Sequence, residues 1–290
     1  MAKVKFSNKR FLYIITVLPY LSLFFGISQA SIETLPSFKN FSVNPTEFND
    51  DTLVIFDVDD VLLMEEDQIL RGNSKAKSYL KSLFAQFDKE FGPLNLEQWD
   101  DLKSKILLSS KHRVVEDDVV HLIKKMQTIG AKVIVLTACQ TGACGPIESL
   151  PEWRIKELKR YGMDFEQAFP KINNLSLQAT DFKKDKKPLF KSGCLFSTGY
   201  AKGLVLKHFL DHLKEVYPEW HPNKVIFFDN QEDNLQSVET IMKDLNICYK
   251  GFLYTFAENS SVDLKLGEFQ LHHLFKHKKW LTDDEVLLNK

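Results

Sequence analysis

Residues 52–61 read TLVIFDVDDV. The first five are apolar or β-branched, too few for a helix, and acidic residues stop them, which predicts a short buried strand. Outward from it the same design recurs: VIVLT at 133–137, GCLFS at 193–197, KVIFF at 224–228 and FLYT at 252–255. Helical patterns lie between. Residues 75–110 are helical but irregular, broken at Gly92-Pro93. From Asp117 to Ile129, Val119, Leu122, Ile123 and Met126 repeat at helical spacing, with acids at the start and Gly130 at the end. Pro151 to Tyr161, Ala201 to about Val216, and about Glu232 to Leu245 complete the series. Strands alternating with helices predict an α/β fold, with a parallel sheet covered on both faces. Ligands of such sheets bind beyond the C-terminal strand ends.

The rest of the chain bounds what this core can be. Its 290 residues are 44% hydrophobic and 27% charged, which excludes a disordered or fibrous protein. With 38 basic against 39 acidic residues, no basic surplus exists to neutralise nucleic-acid phosphates. Lys3, Lys5, Lys9 and Arg10 precede the apolar run FLYIITVLPYLSLFFGI, followed by Ser28-Gln29-Ala30. This order predicts a signal peptide over residues 1–30, cleaved before Ser31, and hence an exported, periplasmic or secreted protein. The predicted mature chain has 34 basic and 39 acidic residues and no further span. Export leaves both a Cys139–Cys144 bridge and two free thiols open. Residues 31–50 read as a turn-rich lead-in, and 171–190 as a polar connection with a solvated KKDKK run at 183–187.

Chemistry collects just after the strands. The first ends in Asp57-Val58-Asp59-Asp60, the second in Thr137, and the fourth in Asp229, with Asp233 a helical turn beyond. Lys202-Gly203 opens the helix after the third. Carboxylates this close do not all stay ionised without a cation, and Mg²⁺ with one or two carboxylates, waters and a substrate phosphate is the usual answer. A carboxylate can also attack phosphorus.

VIFDVDDV, VIVLT, GYAKG and VIFFDNQED, in this order, resemble the motifs of the haloacid dehalogenase-like hydrolases, over residues 52 to about 255. The DxDD opening is similar to that of the class B acid phosphatases, and the chain also resembles an uncharacterised, exported bacterial branch of the family. The resemblance implies a doubly wound, Rossmann-like parallel sheet with a small helical cap inserted at about 75–115. It implies Asp57 as nucleophile, Asp59 as general acid/base, Thr137 on a phosphoryl oxygen and Lys202 neutralising charge. Asp57, the main-chain carbonyl of Asp59 and Asp229 would hold Mg²⁺, with Asp233 as a further ligand or as a positioning residue. Asp60 stands where many members have Gly. The stretch after Val61 would form two short strands of a flap, and Trp99 reads as an exposed cap aromatic. The expected activity is Mg²⁺-dependent hydrolysis of a phosphorylated small molecule or macromolecule, with possible peripheral association with the envelope. A non-enzymatic secreted or surface-associated protein that keeps the fold is the rival expectation.

Overall fold

The computed structural model describes residues 31–44 and 46–288. The predicted signal peptide lies outside them. Strands β1 (Ser31–Leu35) and β2 (Thr52–Phe56) lead into β3 (Leu63–Glu65), helices α1 (Ser74–Phe91) and α2 (Leu96–Ser109), and β4 (His112–Val114). Next come α3 (Asp118–Thr128), β5 (Lys132–Thr137), α4 (Leu150–Arg160), β6 (Asn174–Ser176), β7 (Leu189–Lys191) and β8 (Cys194–Phe196). The chain continues through α5 (Lys202–Val216), β9 (Lys224–Asp229), α6 (Glu232–Asp244), β10 (Cys248–Tyr254), α7 (Leu264–His277) and α8 (Asp283–Leu288).

This is an α/β protein. Its central sheet runs β1-β10-β9-β2-β5-β8-β7-β6, parallel from β1 to β8 and antiparallel over the last two pairings. Strand periodicity sorts the core into two layers. Val54, Phe56, Val133, Val135 and Phe228 face α3 and α4, whereas Leu53, Ile55, Ile134, Leu136 and Phe227 face α5 and α6. Both faces are thus apolar, which is why the strands read as unbroken hydrophobic runs. In register across three strands, Phe56, Phe228 and Phe252 stack at 4.7 and 4.9 Å.

Three segments differ from expectation. The lead-in is part of the sheet: β1 pairs with β10, and Phe38 stacks on Tyr254 at 4.3 Å. Glu116 anchors it, accepting from Ser37 Oγ at 2.5 Å, Phe38 N at 2.7 Å and Tyr254 Oη at 2.5 Å. Residues 171–190 carry the antiparallel strands β6 and β7 and bury Phe182 and Phe190, although most of the KKDKK run is exposed. The flap holds one strand before the cap, β3, and its partner β4 comes after the cap. A short helix-breaking Gly-Pro explains the cap's two helices: Gly92 takes φ 78°, and Asn95 starts α2 with a reciprocal box to Gln98.

The cap is not packed from 75–115 alone. Leu83, Phe87 and Leu102 share a core with Leu271, Leu274, Phe275 and Trp280, so α7 packs in one layer with the helices of 75–115. Trp99 is half-buried there, edge-on to Phe84 at 5.3 Å, rather than exposed. Asp67 pins this layer to the flap by accepting from Trp280 Nε1 and Asp283 N, both at 2.8 Å.

Candidate active site

Asp57 is the first residue beyond β2, and its N–H donates to the Phe228 carbonyl, which extends the ladder to the sheet's edge. Its side chain is almost fully buried. Asp229 ends β9, two strands' registers matching so that both carboxylates reach the same place. Between them lies Lys202, the first residue of α5, with Nζ 2.7 Å from Asp57 Oδ1 and 2.7 Å from Asp229 Oδ2. Gly203 permits this close seating: a Cβ there would lie 2.1 Å from the Ser237 carbonyl oxygen on α6. Burial opposes the charge on Lys202, but the Asp229 and Asp57 carboxylates outweigh it and hold the ammonium above the ordinary lysine range.

One ammonium between two carboxylates leaves the site rich in negative charge. Burial pushes the Asp57 carboxyl up to about 7; Lys202 opposes the shift, and the charges of Asp229 and Asp59 add to it. Asp229 is held through both of its oxygens. Its Oδ1 accepts from Gln231 N at 2.8 Å, and Asn234 Nδ2 lies 3.1 Å from each of its oxygens. Thr137 closes β5, wholly buried, with Oγ1 accepting from Cys139 N at 3.2 Å.

Asp59 is half-exposed, and its Oδ1 lies 2.8 Å from Arg154 Nη2. Asp60 has φ 65°, the left-handed region where Asp is tolerated and Gly is at ease. That conformation accounts for the Gly found at this place in the resembling motif. Asp60 turns inward against Gly72, where a Cβ would lie 2.0 Å from its Oδ2.

The predicted residues Asp57, Thr137, Lys202 and Asp229 therefore meet at one edge, with Asp59 beside them. Asp233 does not join: it is exposed in the first turn of α6, and the side chain reaching Asp229 from that turn is Asn234. Among the described residues no group of three or more His, Cys, Asp or Glu side chains gathers as a metal cage. The donor set still suits Mg²⁺, which needs only one or two carboxylates when waters and phosphate supply the rest. Asn230 Oδ1, next to Asp229, is a buried oxygen with no protein partner, and Ser197 Oγ and Thr198 Oγ1, just past β8, are buried hydroxyls in the same condition. All four cysteines are unbridged thiols. Burial raises the Cys139 thiol pKa, against the pull of Arg154.

Arg154 is the residue that sequence reasoning missed. It is 5% exposed and shares the buried stripe of α4 with Pro151, Ile155 and Leu158. A cation in phase with an apolar stripe was the available signal. Asn234 gave none, because an amide in a polar first turn reads as a solvated residue.

Fold and site together define an α/β protein with a lysine-bridged carboxylate pair at the C-terminal edge of its sheet. The family model described as "Protein of unknown function (DUF2608)" matches residues 35–286, and the chain belongs to that family. An uncharacterised protein of Rickettsia prowazekii is 25% identical over 83% of this chain and 85% of its own length. A Chlamydia trachomatis protein with the printed name "Putative outer membrane protein" is 24% identical over 82% of each chain. A Chlamydia pneumoniae protein with the same designation is 26% identical over 71% of this chain and 70% of its own. No solved structure shows significant similarity to the chain.

Proposed function

We propose that this protein is an exported phosphatase of the haloacid dehalogenase type, with a doubly wound, Rossmann-like core, hydrolysing phosphate monoesters through an aspartyl-phosphate. The carrying observation is Lys202 held at 2.7 Å by both Asp57 and Asp229, which brings three distant segments together where such sheets bind ligands. In this reading Asp57 attacks phosphorus while Asp59 protonates the departing ester oxygen, leaving the phosphoryl group on the Asp57 carboxylate. Asp59 then takes a proton from water, which attacks the same phosphorus, breaks the acyl-phosphate bond and releases inorganic phosphate. Lys202 neutralises charge on the nucleophile and phosphate, Thr137 donates its hydroxyl to a phosphoryl oxygen, and Arg154 steadies Asp59. Asp57, Asp229 and the main-chain carbonyl of Asp59 would hold Mg²⁺, which when bound supplies further positive charge to the phosphoryl oxygens.

Two facts support an envelope setting: the order of features in residues 1–30 and the printed names of the chlamydial relatives. The association we propose is peripheral; no helix among the described residues is long and apolar enough to cross a membrane.

Acid-quenched labelling with an activated aryl phosphodonor, with and without Mg²⁺, tests the scheme. Wild type should turn over only with the metal, and Asp57→Asn should incorporate no phosphate. Asp59→Asn should accumulate phospho-enzyme, since a good leaving group needs little protonation, and should turn over roughly 100-fold or more slowly. Label on Asp57→Asn but not on Asp59→Asn would reverse the assignment. Inertness of all three would favour a non-enzymatic binding protein.

A further inference from the structure

Beside Asp59 opens a cavity of about 390 Å³ whose walls come from the flap, from α2 and from the segment between β5 and α4. That volume is in the range of small-molecule sites and exceeds what a phosphoryl group alone needs. Arg154 lines it; Nη2 of its guanidinium is paired with Asp59, and the Cys139 thiol, a weak acceptor, is the other wall group that interacts with this side chain. Nε and Nη1 are buried with no hydrogen-bond partner. Unmade bonds to a buried guanidinium are costly, so these donors call for an acceptor. The side chain is also held in place, its Cζ 5.0 Å from the Trp153 ring centroid.

The rest of the wall favours an anion as that acceptor. Lys103, half-buried on α2, lines the same cavity, and no carboxylate among the described residues lies within ion-pair distance of it. Of the three acids on the wall, Asp59 and Asp60 are engaged on the protein side, whereas the buried Oε2 of Glu65 has no hydrogen-bond partner. Glu65 Oε1 is 2.9 Å from His112 Nε2, Asp59 faces Arg154, and Asp60 is supported by the Gly72 backbone N–H. Two unbonded donors of Arg154 and the ammonium of Lys103 thus face a space next to the residue proposed to protonate the leaving group. Arginine's planar fork matches a carboxylate or phosphate oxygen pair.

We infer that the leaving group of the substrate carries a second oxyanion, a carboxylate or a further phosphate, which Arg154 and Lys103 receive in this cavity. The inference rests on the phosphatase reading, because it assigns the phosphorylated end to Asp57. It narrows the substrate class to small phosphomonoesters with a second negative end and disfavours simple aryl or alkyl esters.

The test has a catalytic arm and a binding arm, both on the mature chain. Turnover of ω-carboxyalkyl phosphates of two to six carbons is compared with that of plain alkyl phosphates of equal length. Calorimetry compares the matching non-hydrolysable ω-carboxyalkyl and alkyl phosphonates. In wild type the carboxylated member of at least one pair should be preferred by about tenfold or more in kcat/KM and in affinity. Arg154→Gln should remove that preference, and Lys103→Gln should reduce it. The ratio is the informative quantity, since any effect of Arg154 through Asp59 falls on both members alike and cancels. Arg154→Lys, which keeps the charge but not the fork, should restore part of it. Hydrolysis of both members without preference overturns this inference and leaves the phosphatase reading intact. Preferential binding without turnover of any ester sinks the phosphatase reading and leaves the anion site. A preference that survives Arg154→Gln unchanged assigns the site to other residues and overturns the proposal.

Discussion

Asn234 and Asp233 are neighbours, yet only Asn234 touches Asp229. A group that orients a ligand typically changes metal affinity or activity by roughly 10–100-fold when lost. Asn234→Leu should therefore raise the Mg²⁺ concentration needed for half-maximal turnover by about tenfold, while Asp233→Ala leaves it unchanged. Equal effects in a Mg²⁺ titration would return Asp233 to the site. Asp60 makes a different prediction. Burial pushes its carboxyl from 3.8 up to about 6, opposed by the Gly72 N–H. The folded state therefore binds the proton more tightly than the unfolded chain. Stability is greatest below the unfolded pKa, falls as pH rises between the two values, and is level above the folded one. Asn in its place keeps an acceptor and carries no charge to desolvate. Asp60→Asn should gain little at about pH 4 and roughly 2 kcal/mol at about pH 8. Urea unfolding at both pH values checks this; an equal gain at each would show that ionisation is not its source.

At the scale of elements, what could be read in advance follows from how locally each signal is written. The parallel strands β2, β5, β8 and β9, which carry or flank the site, are apolar runs because both sheet faces are covered. Lys202 was legible because its helix begins right after a strand. By contrast β6 and β7 have three residues each and pair at the sheet's margin, where alternation over so few positions cannot be distinguished from loop. β1 is not legible because its partners are remote in sequence: it pairs with β10, near the other end of the chain, and the turn after it is held by Glu116, 79 positions from Ser37. Removing that carboxylate leaves three donors without their acceptor. Glu116→Ala should cost about 2–4 kcal/mol and make residues 31–40 the first site of limited proteolysis. Glu116→Gln, which keeps an acceptor, should lose less. Unchanged protection of this segment in Glu116→Ala would mean that β1 is held by strand pairing alone.

For the whole molecule, Ser31 is the predicted first mature residue, and residues 31–35 pair in parallel with β10. Cleavage there would keep these five paired residues in the mature chain. Mass spectrometry of the exported protein should find Ser31 at its N-terminus; an intact Met1 end would contradict the reading of residues 1–30. The cap layer has a consequence of another kind. Its core needs Phe275 and Trp280, and Asp67 in the flap needs Trp280 and Asp283. A chain emerging from a ribosome or a translocation channel exposes Asp57, Thr137, Lys202 and Asp229 well before these last residues arrive. The order of emergence thus makes the roof of the site the final part to assemble, so a nascent or C-terminally clipped chain would possess the carboxylates without the enclosure that goes with them.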